Sequence, residues 1–201
     1  MPILLERYQK VLKEHGLVAS EQIFDITSTY FEGEKAELSA LGYSRDRRPE
    51  KKQVTIGIAT GINDVPSAIT VQRGNVQDKR HFKYLLSVAG RVLEKGSLLI
   101  FDAGANSRTN KERVVKLGFN YLTLKPKKVR TYKRYVKNFW KLKPRKFELN
   151  NKAYYCVKLK EKDKDKDGEK QEWLYLYIYF SLDLKDRLRK KESKFERQKL
   201  I

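Results

Sequence analysis

Two aspartates stand where an ionised side chain is costly. Asp25 interrupts residues 22–31 (QIFDITSTYF), a run rich in β-branched and aromatic residues. Asp102 ends the unbroken apolar run 97–101 (SLLIF) and is followed by Ala103-Gly104-Ala105-Asn106. A carboxylate inside or at the mouth of a buried strand needs a compensating partner. A divalent cation is one such partner, because hard oxygen ligands suit Mg2+ and leave coordination positions for water and substrate. Two ions about 4 Å apart would stabilise both the attacking and the leaving oxygens of a phosphodiester displacement. Gly104 would let the chain turn away without blocking such a site. The alternative is structural: each aspartate caps a turn or pairs with one of the many lysines and arginines.

For the two carboxylates to act together, their strands must be neighbours. Leu4, Leu5, Tyr8, Val11 and Leu12 recur at helical spacing and Gly16 stops the pattern. Residues 22–31 then read as a strand. Residues 32–52 are polar, with Gly33, Gly42 and Pro49, and predict a loop with a helical turn around 35–41. Residues 53–60 (QVTIGIAT) and 67–72 (SAITVQ), joined by Gly61-Ile-Asn-Asp64, predict an antiparallel hairpin. Asp78 reads as a helix cap before the apolar face Phe82, Leu85, Leu86, Ala89, Val92 and Leu93, which ends at Gly96. Residues 97–101 form a short buried strand, 110–116 a helix stopped by Gly118, and 120–124 a further strand. Three strands, helix, strand, helix, strand predicts an α/β fold with a mixed sheet and right-handed crossovers. That order is the ribonuclease H-like one, although several α/β folds share the pattern.

After Pro126 the character changes. Residues 127–146 carry ten Lys or Arg and no acid, interleaved with Tyr132, Tyr135, Phe139 and Trp140. Lys127, Lys128, Arg130, Lys133, Arg134, Lys137 and Trp140 are the candidate DNA contacts, cations for phosphates and aromatic rings for exposed bases. The alternative is a solvated helix whose aromatics pack on the domain. Residues 153–159 and 173–180 are strand-like and flank a charged loop, 161–170, so a β-hairpin appendage is expected. Asp163, Asp165, Asp167 and Gly168 imitate the start of a calcium loop, but Leu174 occupies the twelfth position, and a solvated hairpin tip explains the composition better. The expected organisation is an N-terminal helix over 1–20, a catalytic core over 21–126, a basic segment and β-hairpin insertion over 127–182, and a charged helical tail over 183–201.

Forty-five Lys and Arg against 25 Asp and Glu give a net charge of +20. That excess favours a polyanionic partner, since every phosphate contact releases condensed counterions. DNA is the first candidate; an anionic membrane surface and plain solubility are the others. Cys156 is the single cysteine and there are two histidines, which excludes an intrachain disulfide and a Cys/His zinc site and fits a reducing cytoplasm. No run approaches the roughly 18 apolar residues of a membrane helix, and Glu6 and Arg7 break any signal-peptide pattern. No membrane partner and a cytoplasmic location are therefore expected. No GxxxxGK loop is present. His15 and His81 have no partner spacing that suggests catalysis. Arg45, Asp46 and Arg47 read as a surface charge cluster or a loop near DNA.

Phe24-Asp-Ile-Thr-Ser-Thr-Tyr-Phe-Glu-Gly33, Leu41-Gly-Tyr-Ser-Arg-Asp46, Gln53-Val-Thr-Ile-Gly57, Gly74-Asn-Val-Gln-Asp78, Leu99-Ile-Phe-Asp-Ala-Gly-Ala-Asn106 and Asn120-Tyr-Leu-Thr-Leu-Lys125 occur in this order. Together, over residues 22–135, they resemble the catalytic domain of insertion-sequence transposases of the large DDE class. The resemblance implies a ribonuclease H-like mixed sheet with flanking helices and a β-rich insertion after the strand at 120–124, with which residues 147–180 are consistent. It implies that Asp25 and Asp102 are the first two catalytic carboxylates and ligands of Mg2+ or Mn2+, two ions in a complete enzyme. It implies hydrolysis at a 3′ strand end, then attack of the freed 3′-hydroxyl on target DNA. Transposon ends and target DNA would be the partners, a homodimer the assembly, and the nucleoid of a prokaryotic cell the setting. Asn75 and Asp78 would lie near the active-site face; a turn and a cap is the alternative. The third ligand of the family is a glutamate on a later helix beside Tyr, Arg and Lys. That motif is not found: Glu192 and Glu196 stand in a charged tail without such company. The family also has a longer N-terminal region. The expectation is a chain truncated at both ends and inactive alone. Alternatives are a basic DNA-binding module without catalysis and a non-functional transposase remnant.

Overall fold

A computed structural model describes residues 2–32, 36–43, 47–124, 137–164 and 171–181, without the side chains of 2, 161–164, 171–174, 180 and 181. The chain divides into two compact units, Met1–Pro126 and Lys127–Ile201. In the first, α1 (Pro2–Glu14) precedes β1 (Glu21–Tyr30), β2 (Gln53–Gly61) and β3 (Pro66–Arg73), followed by α2 (Asp78–Ala89), β4 (Leu98–Phe101), α3 (Arg108–Lys116) and β5 (Asn120–Thr123).

The strands form one sheet in the order β3-β2-β1-β4-β5. β1 pairs antiparallel with β2, and β2 with β3, while β4 runs parallel to both β1 and β5. This is the mixed α/β arrangement expected from the sequence, with helices in the two crossovers that parallel pairing requires. Period-two alternation sets the faces. Gln22, Phe24 and Ile26 of β1 are buried, whereas Ile23, Asp25 and Thr27 are exposed. The buried face meets α2, whose Phe82 ring lies 5.5 Å from Phe24 and 4.6 Å from Phe101. Leu85, Leu86 and Leu99 are fully buried in the same cluster, together with Val114 of α3 and Phe119. Each such side chain contributes about 1.5–3 kcal/mol through burial. α1 is held by Leu12, which is buried, and by Gln9, whose amide donates to Ser67 O at 2.9 Å and Val88 O at 3.2 Å.

His81 is a structural residue of this layer. It is fully buried on α2, with Nδ1 3.0 Å from Thr55 Oγ1 and Nε2 2.9 Å from Thr70 Oγ1. Burial pushes its pKa below the usual imidazole value, only partly opposed by the negative charge of Asp78 and the hydrogen bond from Thr70. Gly57 makes room for it: a Cβ there would stand 2.9 Å from both His81 Nε2 and Thr70 Oγ1.

Several boundaries differ from the sequence expectations. α2 ends at Ala89 with Gly90 as its C-cap, not at Gly96, and the chain continues in turns such as Val92 N to Ala89 O at 3.1 Å. Val92 and Leu93 are buried from that turn, so apolar spacing persists after the helix has stopped. Gln77, not Asp78, is the N-cap of α2 and makes no side-chain cap bond; Asp78 is the first helical residue. In place of the helical turn expected around 35–41, the described residues 36–43 hold one turn, Ser39 N to Ala36 O, and a bridge between Ala40 and Gln53.

In the second unit, a short 3-10 turn (Trp140–Leu142) leads into β6 (Arg145–Leu149), β7 (Lys152–Lys164) and β8 (Gln171–Ser181), an antiparallel sheet in that order. The expected hairpin is thus a three-stranded sheet. Its additional strand, β6, begins inside the basic segment and is exposed along its whole length, with only Phe147 and Leu149 as apolar residues to reveal it. Asn150 and Asn151, at φ of +50° and +59°, make the two-residue turn between β6 and β7, conformations that asparagine tolerates best after glycine. Residues 165–168 of the calcium-loop imitation and the tail at 183–201 lie outside the described residues. No helix among the described residues is long and apolar enough to cross a membrane.

Candidate active site

Asp25 lies on β1, the middle strand of the sheet, and Asp102 immediately follows β4 beside it. β1 and β4 run parallel, and their register ends with Phe24 opposite Phe101. Asp25 and Asp102 are the next residue on each chain, so their backbones are neighbours at the carboxyl end of β4. Adjacent strands lie about 4.8 Å apart, and open α/β sheets form sites at such strand ends.

The side chains have distinct surroundings. Asp25 lies on the sheet face turned away from α2, opposite Ile58 of β2. It lines a shallow hollow with Ile23, Ile58, Thr60, Ile62 and Asp64, and its Oδ1 accepts from Ile26 N at 2.9 Å. Asp102 Oδ1 accepts from Ala105 N at 3.1 Å, the turn-capping contact weighed as the structural alternative. A carboxylate offers about four lone-pair positions, so each retains acceptor capacity beyond these bonds.

The loop carrying Asp102 is tied down on two sides. Toward β5, Thr123 Oγ1 donates to Asp102 O at 3.2 Å and Asn106 Nδ2 to Leu124 O at 2.8 Å. Toward α2, the buried Asn110 donates from Nδ2 to Ala105 O at 2.8 Å and to Lys79 O at 3.1 Å. Asn110 therefore joins the first turn of α2 to the Asp102 loop. α3 itself starts at a capped end, with Ser107 Oγ accepting from Asn110 N at 3.2 Å.

That link brings Asp78 to the same place. A Cβ on Gly104 would stand 2.6 Å from Asp78 Oδ2 and 3.3 Å from both oxygens of Asp102. Glycine at 104 keeps the space between these carboxylates open. Asp78, Asn75 and Gly104 also line a second hollow with Thr27, Thr55 and Ser28, whose buried Oγ has no hydrogen-bond partner. The resemblance implied that Asp78 lies near this face; the role of Asn110 was not read from the sequence. A usable signal was the asparagine at the start of a helix, where its amide competes with backbone bonding unless it has fixed partners.

Close backbone approach shapes the rim. A Cβ at Gly74 would meet Gln53 O at 2.0 Å and Ala40 O at 2.6 Å, and one at Gly42 would meet Gly74 O at 2.0 Å. Two of the sequence motifs thus owe their glycines to packing.

The open space at Gly104 lies between Asp102 and Asp78, whereas Asp25 lines the other hollow with Asp64; hard carboxylate oxygens of this kind suit an oxygen-coordinated divalent ion. Among the described residues, however, no group of three or more His, Cys, Asp or Glu stands ready to hold a metal. Of the candidate DNA contacts, Lys127, Lys128, Arg130, Lys133 and Arg134 lie outside the described residues. Lys137 is exposed. Trp140 is half-exposed and packs its ring edge-on against Phe139 at 5.3 Å and Tyr155 at 5.0 Å.

Neither a protein-family model nor a curated protein matches the chain. Among solved structures, it is similar to a chain of a piggyBac transposase synaptic complex with hairpin DNA, at 11% identity and a TM-score of 0.41, over 81% of this chain and 33% of that one. It is similar to the Mos1 transposase paired-end complex with the left transposon end, at 11% identity and a TM-score of 0.37, over 68% of this chain and 52% of that one. A third similarity, at 13% identity and a TM-score of 0.35, is to the simian T-cell lymphotropic virus intasome in complex with PP2A regulatory subunit B56 gamma, over 63% of this chain and 39% of that one. The chain spans between a third and about half of the length of these chains.

Proposed function

We propose that the first unit is the catalytic core of a DDE-type transposase, which acts on DNA through divalent metal held by Asp25 and Asp102. The observation that carries this is the β1–β4 register, which ends with Phe24 opposite Phe101, the residues immediately before Asp25 and Asp102. Mg2+ or Mn2+ bound there would supply charge stabilisation for the attacking and leaving oxygens of a phosphodiester displacement. The chain's own groups hold and orient it. Asp25 presents its carboxylate from a rigid central strand. Asp102 presents its own from a loop fixed by Thr123, Asn106 and Asn110. The net charge of +20 supplies the attraction for DNA.

A second reading, a DNA-binding protein without catalysis, is favoured by the donor count, since among the described residues no group of three or more His, Cys, Asp or Glu stands ready to hold a metal. The two separate experimentally. Mn2+ titration of the purified chain, followed by the loss of the free-ion paramagnetic resonance signal, should reveal a site that Asp25→Asn and Asp102→Asn each weaken by at least tenfold. Supercoiled plasmid nicking in the same Mn2+ buffer reports whether the chain alone completes the reaction. Equal Mn2+ binding by wild type and both variants, with DNA binding intact, would establish the second reading.

A further inference from the structure

The second unit's sheet has two unlike faces, and residues opposed across antiparallel strands share a face. Arg145 opposes Cys156, which opposes Tyr179; Lys158 opposes Tyr177; Lys160 opposes Tyr175. Phe147 opposes Tyr154 and stacks on its ring, centroids 5.4 Å apart and planes 19° from parallel. One face is therefore a run of tyrosines flanked by cations. The other carries Tyr155, Val157, Leu176 and Ile178, of which Val157 is buried. The one acid within residues 145–160 and 175–179, Glu148, opposes Ala153 and so lies on that second face.

The tyrosine face is open and its side chains are ordered by each other. Tyr175, Tyr177 and Tyr179 are 57%, 41% and 58% exposed. Lys158 Nζ lies 4.0 Å from the centre of the Tyr175 ring and 5.7 Å from that of Tyr177. Phe147 meets the Tyr179 ring at 6.0 Å, nearly perpendicular. Alternate residues on a strand repeat at about 6.8 Å, roughly twice the 3.4 Å step of stacked duplex bases. Successive bases can meet successive rings only when unstacked and unpaired.

From these observations we infer that the Tyr175–Tyr177–Tyr179 face binds single-stranded DNA, the rings stacking on unpaired bases while Lys158, Lys160 and Arg145 take the phosphates. The absence of acids from this face, against one on the other, is what selects a polyanion over a second protein surface. The inference rests on the function proposed above for the polymer alone; it uses neither Asp25 nor Asp102.

The test is fluorescence anisotropy of the full chain with a labelled oligothymidylate of about 20 nucleotides, longer than the roughly 4–16 that one small domain covers. A duplex of equal length is the comparison. Replacing all three tyrosines by leucine should weaken oligothymidylate binding by at least about tenfold and leave duplex binding within twofold. Tyr→Phe at the same positions keeps the stacking surface and should bind the single strand like wild type, which guards against misfolding in the leucine variant. Unchanged single-strand affinity in the leucine variant, or equal losses for single strand and duplex, would overturn the inference. So would a wild-type dimer in sedimentation that the leucine variant abolishes, since the face would then belong to a second copy. Loss of the Mn2+ site alone defeats only the catalytic proposal, and tyrosine-independent binding alone defeats only this one.

Discussion

The two sheets of this protein are built on opposite plans. The five-stranded sheet buries one face under α2, with Phe82, Leu85, Leu86 and Leu99 inaccessible to solvent. The three-stranded sheet has only Phe139 and Val157 as buried hydrophobics among the described residues of its unit. It is held by cross-strand pairs such as Phe147–Tyr154 and by Lys158 over the rings of Tyr175 and Tyr177, each contact contributing roughly 0.2–1 kcal/mol. The first plan makes a rigid scaffold on which two carboxylates can be placed to within a strand spacing. The second leaves aromatic and cationic groups in solvent, where they are available to a partner. The buried core and the exposed aromatic and cationic groups thus lie in different parts of one chain.

The sharpest way to break this comparison is to open the first core. Phe82→Ala removes the ring that touches both Phe24 and Phe101, and should cost about 3–5 kcal/mol in denaturant unfolding. A loss below about 1 kcal/mol would mean that the first sheet is not the stable one. Next in size is Asn110→Ala, which leaves Ala105 O and Lys79 O without their buried donor and should cost roughly 1–3 kcal/mol. Amide exchange should then quicken in the Asp102 loop while β6–β8 stay unchanged.

A smaller effect depends on pH. The folded-state pKa of His81 is depressed by burial, so below the ordinary value of 6.5 the unfolded chain takes up a proton that the folded chain resists. Stability from neutral His81 is therefore fully present above that pH and is lost as pH falls toward the folded pKa. The slope is at most about 1.4 kcal/mol per pH unit. Denaturation midpoints measured from pH 7 downward should show this slope in wild type and lose it in His81→Gln; equal slopes would place the titration elsewhere. The smallest effect concerns Lys51 and Glu32, 2.7 Å apart on the surface. Exposed pairs of this kind are screened by solvent, so Lys51→Gln should leave the midpoint unchanged within error, and a clear shift would contradict that assignment.

Much of the first unit was legible because its strands obey simple periodicities. The β-branched and aromatic content of residues 22–31 and the apolar run at 97–101 located β1 and β4, and with them Asp25 and the position of Asp102. The end of α2 was not legible, since Val92 and Leu93 keep helical apolar spacing from a turn. β6 was hidden because a fully exposed strand has no burial to imprint on its sequence. At the site, strand position could be read but side-chain direction could not. The approach of Asp78 to Asp102 depends on Gly104 and on the Asn110 link between α2 and the loop, contacts between residues far apart in sequence. The segregation of tyrosines from acids in the second sheet became visible only once the register was known.

The central claim is that Asp25 and Asp102 act as one metal site. A double-variant cycle of Mn2+ affinity, with Asp25→Asn, Asp102→Asn and both together, tests it directly. If the carboxylates share an ion, each single variant should weaken binding about as much as the double variant does. Additive losses, or no loss from either, would show two separate surface carboxylates and contradict the claim.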